Sequence, residues 1–82
     1  MDFALVCTYS WDLDTAVYFY ETEEAAMAAL KATFDAEVKI DAEEGNVFEV
    51  EYDESGWYAK ITNYRRSGDV DITEYRVGRI YQ

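Results

Sequence analysis

Carboxylates are the side chains with which this chain could do the most chemistry. Eighteen aspartates and glutamates stand against seven lysines and arginines, and histidine is absent. Without an imidazole the chain lacks the commonest general base and the commonest transition-metal ligand. No Ser-His or Cys-His nucleophile can be assembled within it. Cys7 sits among apolar neighbours in an alternating segment and reads as a buried structural thiol. No glycine-rich phosphate loop is present. Two segments, Asp12-Leu13-Asp14 and Asp69-Val70-Asp71, each place two acids one residue apart. A calcium loop of the EF-hand type needs several oxygen donors, a central glycine and a bidentate glutamate at fixed offsets, and neither segment supplies them. A glycosidase needs two carboxylates in unequal environments flanking a cleft, for which a domain of 82 residues has little room. The acids are therefore expected to bind rather than to catalyse, with no metal and no other cofactor.

Binding is where their distribution points. Residues 12–54 hold fourteen acids and only Lys31 and Lys39, a net charge of −12, whereas residues 55–82 are net +2. The acids cluster at Asp12, Asp14, Glu21, Glu23 and Glu24, again at Asp35, Glu37, Asp41, Glu43 and Glu44, and again at Glu49, Glu51, Asp53 and Glu54. Self-repulsion of such a field costs stability, and a domain this small has only a few kcal/mol to lose. The field repels DNA, RNA and anionic lipid and attracts basic surfaces. Carboxylates on a helix and on alternate strand positions can be spaced at about 7 Å, comparable to phosphates along one nucleic-acid strand. The partner these fourteen residues predict is thus a basic nucleic-acid-binding protein, with no direct contact to nucleic acid or membrane. Eight tyrosines and two tryptophans could anchor such an interface. Trp11, Trp57 and Phe34 are expected in the core, and Tyr18, Tyr20, Tyr58, Tyr64 and Tyr81 nearer the surface. Arg65-Arg66 reads as a solvated hairpin tip, with a contact to the acidic face as the alternative.

These residues must be carried by a small set of elements. Half of the chain is hydrophobic and 17% is aromatic, too apolar for a disordered acidic tail. Phe3 to Trp11 alternates as a strand, with Phe3, Leu5, Cys7, Tyr9 and Trp11 on one face. Asp12-Leu13-Asp14 breaks the run, and Thr15 to Tyr20 suits a short extended piece. Thr22 followed by Glu23 and Glu24 reads as a helix start. Met27, Leu30, Phe34 and Val38 then form one apolar stripe, and Gly45 suits the position just past the helix end. Val38-Lys39-Ile40-Asp41 also alternates, so the helix could end near Asp35 rather than near Glu44. Three strands follow, separated by turns at residues 54–56 and 67–69. The last is expected to bulge near Glu74–Tyr75. The expected fold is one α+β domain over residues 1–82: a four-stranded antiparallel sheet with one long helix packed on one face, in the order β-α-β-β-β. One cysteine allows no internal disulfide, no basic leader precedes an apolar run, and a cytoplasmic protein is expected.

Tyr58-Ala59-Lys60-Ile61-Thr62-Asn63 and the run from Asp71 to Gly78 resemble the closing strands of small acidic proteins encoded on bacterial mobile elements. The size and acidity are also similar to those of phage anti-CRISPR and other DNA-mimic proteins. That resemblance implies an inhibitor that fills the basic groove of a defence nuclease such as a CRISPR effector in the bacterial host cytosol. The alternative is a non-catalytic adaptor or accessory protein of a mobile element, for which a homodimer through a sheet face or an edge strand is one expected form. The matching residues look structural, so no catalytic residue is implied.

Overall fold

A computed structural model describes residues 1–80. The elements are β1 (Phe3–Tyr9), β2 (Asp12–Tyr20), α1 (Glu23–Glu43), β3 (Val47–Tyr52), β4 (Tyr58–Tyr64) and β5 (Val70–Arg79). The strands form one antiparallel sheet in the order β2-β1-β5-β4-β3, with α1 across one face. The fold is therefore α+β as expected, but its sheet has five strands rather than four. The extra strand is β2, which includes the Asp12-Leu13-Asp14 segment that reads as a break. Ser10 and Trp11 alone turn the chain between Tyr9 and its cross-strand partner Asp12, without a glycine or asparagine to mark the turn. Acids are tolerated in β2 because it is an edge strand whose side chains reach water.

Helix α1 runs continuously past Val38-Lys39-Ile40-Asp41, and its ends explain why. The Thr22 hydroxyl accepts the Ala25 N–H (3.2 Å), with Thr22 itself extended. Glu23 and Glu24 lie in the first turn, where the dipole favours them. At the other end Gly45 takes φ +71, its N–H donating to Ala42 O (3.2 Å) while the Asn46 N–H donates to Asp41 O (3.0 Å). These two bonds satisfy carbonyls that the helix would otherwise leave open.

The stripe buries Ala26, Leu30 and Phe34 against Leu5, Cys7, Ala59, Ile61, Tyr75 and Val77 of the three central strands, with Met27 and Val38 packed at its border. Phe34 meets Tyr75 edge-on, with ring centres 6.2 Å apart. Cys7 is buried, and desolvation pushes its thiol upward. Trp57 packs at the core's border, but Trp11 is 56% exposed at the turn, tilted over Tyr9. A turn residue does not have to follow the alternation of the strand before it. Tyr18 and Tyr64 are exposed as expected, Tyr20 and Tyr58 are half-buried, and Tyr81 lies outside the described residues. The expected bulge in β5 is absent: its pairing with β1 and β4 runs unbroken through Glu74 and Tyr75. The irregularity falls instead between β1 and β2, near Cys7 and Tyr9.

Gly56 and Gly45 both need a left-handed backbone, but only Gly56 also needs space. A Cβ there would lie 2.8 Å from Met27 Cε, whereas one on Gly45 meets nothing within 4 Å. Gly45→Ala should therefore cost about 1 kcal/mol of backbone strain, and Gly56→Ala somewhat more, because the flexible end of Met27 must move aside. Urea denaturation of the two variants should rank them in that order.

Candidate functional site

The structure separates the fourteen acids into groups by element. Glu49 and Glu51 are alternate residues of β3, so both project from the sheet face opposite α1. Asp53 follows at the same two-residue interval. A strand rises about 3.4 Å per residue, which spaces Glu49 and Glu51 by about 7 Å along one edge of the sheet, while Asp53 lies just past the strand end. The Tyr64 hydroxyl donates to Glu49 Oε2 (3.1 Å), and this bond raises the Tyr64 pKa. Asp53 accepts the Ser55 N–H (2.8 Å), and hydrogen bonds from Ser55 hold its carboxyl below the usual range.

At the start of α1, Glu21, Glu23 and Glu24 share an end of the molecule with Asp53 and Glu54. The link is Trp57, whose indole N–H donates to Glu23 Oε1 (3.2 Å). The opposite end holds Glu37, Asp41, Glu43 and Glu44 of the helix C-terminus, and Asp12 and Asp14 of the β1–β2 hairpin. Asp35 lies on the solvent side of α1, paired with Lys31 at 2.7 Å. The molecule measures 43 × 24 × 17 Å, so the two ends are distinct surfaces joined by the β3 edge.

Asp41 departs from the expected outward array. It is only 7% exposed, and it accepts from Asn46 Nδ2 (2.9 Å) and Asn63 Nδ2 (3.3 Å). The reason is helical periodicity: Asp41 comes three residues after Val38 and continues the inward stripe. Counting that stripe one step further would have found it. Its carboxylate joins the end of α1 to β4 as an internal bracket. Glu23 is half-buried, and the other twelve predicted acids are exposed.

Around this bracket an open groove of about 560 Å³ runs between the end of α1 and the sheet, with Trp11, Glu37, Glu44, Arg65 and Arg66 among its walls. Arg65 pairs with Asp71 across its own hairpin while lining the same groove as Glu37 and Glu44. On the open sheet face, Tyr58 Oη donates to Glu74 Oε2 (2.7 Å), Arg76 Nη2 donates to the same oxygen (2.9 Å), and the guanidinium carbon sits 5.2 Å from the centre of the Tyr58 ring. Burial, with the Glu74 hydrogen bond and charge, pushes the Tyr58 pKa up to about 12. Sequence spacing did not expose this trio, because its members meet only through the Tyr58–Arg76 register.

Among the described residues no group of three or more potential ligands could hold a metal ion, and no helix is long and apolar enough to cross a membrane. This is a single-helix α+β domain with an acidic surface. No family model, curated protein or solved structure matches the chain.

Two measurements test these assignments. Asp41→Ala relieves an unfavourable charge near the helix C-terminus but leaves the half-buried Asn63 amide without its acceptor, while exposed Asn46 keeps Glu44 Oε2 (3.2 Å). The gain is at most about 1 kcal/mol and the loss about 1–3 kcal/mol, so urea denaturation should show net destabilisation. Tyr58 has a raised folded pKa, so the unfolded chain releases this proton first. Its contribution to stability is complete below about pH 10 and is lost as the pH rises towards about 12. Glu74→Gln should lower the pKa of Tyr58, read by ultraviolet titration of the phenolate against a Tyr58→Phe reference.

Proposed function

We propose that this protein is a non-catalytic inhibitor that presents its acidic surface to the basic nucleic-acid-binding groove of a partner. A bacterial defence nuclease, such as a CRISPR effector, is the partner class its resemblance implies. The observation that carries this reading is the row begun by Glu49 and Glu51, two exposed carboxylates at about 7 Å on a sheet edge, with exposed Asp53 just beyond the strand end. A groove built for phosphates meets a comparable charge spacing there. Exposed Tyr64, bonded to Glu49, offers an aromatic anchor beside the row.

The helix C-terminus supports the same reading from stability. Its last turn carries no basic residue, while Glu43 and the capping Glu44 stand at the negative end of the dipole. Carboxylates there cost about 0.3–1 kcal/mol each. Local rules are broken in this way where a site has a use for the charge. Lys39 offsets little of it, at 4.0 Å from Glu43 with both side chains largely exposed.

Charge reversal separates this function from solubility alone. Wild type used as bait should capture a basic nucleic-acid-binding protein from host cytosol at low salt and release it at high salt. Glu49→Lys with Glu51→Lys, and separately Glu43→Lys with Glu44→Lys, should each weaken that capture about tenfold or more, equivalent to about 1.4 kcal/mol. The second pair should do so while raising the melting temperature, because it corrects the helix end. Capture unchanged by both pairs would refute the acidic-surface reading.

A further inference from the structure

The two edges of the sheet are built differently. β3 is guarded by Glu49 and Glu51, and from the helix Lys31 stands 5.3 Å from the centre of the Tyr52 ring. β2 has no such guard along its middle. Between Asp14 and Glu21 it carries no charge, no proline and no glycine. Beside exposed Thr15, its large exposed side chains are apolar or aromatic: Val17 43%, Tyr18 52% and Phe19 55%. Natural proteins protect edges with charges, prolines or bulges, because an open edge invites another strand.

The backbone of β2 is open in the same stretch. Ser10 N–H donates to Ile72 O and Ile80 N–H donates to Asp2 O, so the even-numbered residues of β1 face β5. Alternation turns Phe3, Leu5 and Cys7 towards β2, where they pair with Tyr20, Tyr18 and Ala16. The N–H and C=O groups of Val17 and Phe19 therefore point away from β1, into the space beyond the sheet. A strand laid there would find a ladder ready on its backbone side and apolar side chains on both faces.

Charge selects the occupant. In a second copy laid antiparallel, Asp12 and Asp14 of one strand would stand beside Glu21 of the other, between two bodies each of net charge −11. A parallel arrangement would set Asp12 and Asp14 against themselves. Like charges opposed across strands are destabilising. A segment apolar or β-branched at its centre and basic at both ends matches the edge in either direction.

We propose that β2 is a strand-addition site for an extended partner segment with a β-branched centre and lysine or arginine at each end. The basic ends rest on the reading of the partner as basic; the open ladder does not. The test is an NMR titration of the full chain with the peptide Lys-Lys-Val-Thr-Val-Thr-Val-Lys-Lys. Saturable amide shifts should centre on residues 15–20, and the Val17 and Phe19 amides should exchange more slowly when bound. Val17→Pro removes an outward N–H that β1 does not use, and should weaken binding about tenfold or more. The same peptide N-methylated at alternate residues leaves the protein unchanged and should lose binding equally. Shifts centred on β3, or undiminished binding of the N-methylated peptide, would overturn strand addition. Equal binding of a peptide with glutamate ends would overturn the basic partner segment. Neither result bears on the β3 edge, whose charge-reversal variants lie at the other side of the sheet.

Discussion

One helix has to cover five strands, and it cannot. Strands about 4.8 Å apart make this sheet about 19 Å wide, whereas a helix with its side chains is about 10 Å across. The Leu30–Phe34 stripe therefore seals β1, β5 and β4, where Leu5, Cys7, Ala59, Ile61, Tyr75 and Val77 are buried. β2 and β3 reach the core's border through Ala16, Tyr20 and Phe48, and Tyr52 meets the Phe34 ring, while most of their other side chains lie in water. The whole sheet face opposite the helix is also uncovered.

The two uncovered edges answer that exposure in opposite ways. β3 carries carboxylates at alternate positions, which keep neighbouring strands away and concentrate negative potential along a line. β2 places its acids at the ends and leaves Val17, Tyr18 and Phe19 in the open between them. The charge also works against the fold at the helix C-terminus. Compensation is structural: the left-handed turn at Gly45 and the inward Asp41 bracket hold that end to the sheet through hydrogen bonds.

Much of the fold was legible because its signals are local. Thr22, the two glutamates after it, the stripe from Met27 to Val38 and Gly45 marked a helix whose observed ends match those residues. Alternation marked β1, β3 and β4, and glycines marked both later turns. What was missed lacked a local signal. The β1–β2 turn has neither glycine nor asparagine, and the acids at its exit resemble a loop although they belong to an edge strand. The β5 phase slip suggested a bulge because Glu74 reads as a misplaced charge. In the sheet it is an open-face residue held by Tyr58 and Arg76.

Composition and spacing alone determined that this chain packs a core around one amphipathic helix, excludes histidine chemistry and concentrates its negative charge before residue 55, since each depends on residue types and near neighbours. Which acids line up, which one turns inward, and which edge stays bare were decided only when the strands paired. Those properties depend on register between residues far apart in the chain. Shifting a strand by one residue would exchange its two faces, and no stretch of sequence shorter than the whole sheet specifies that choice.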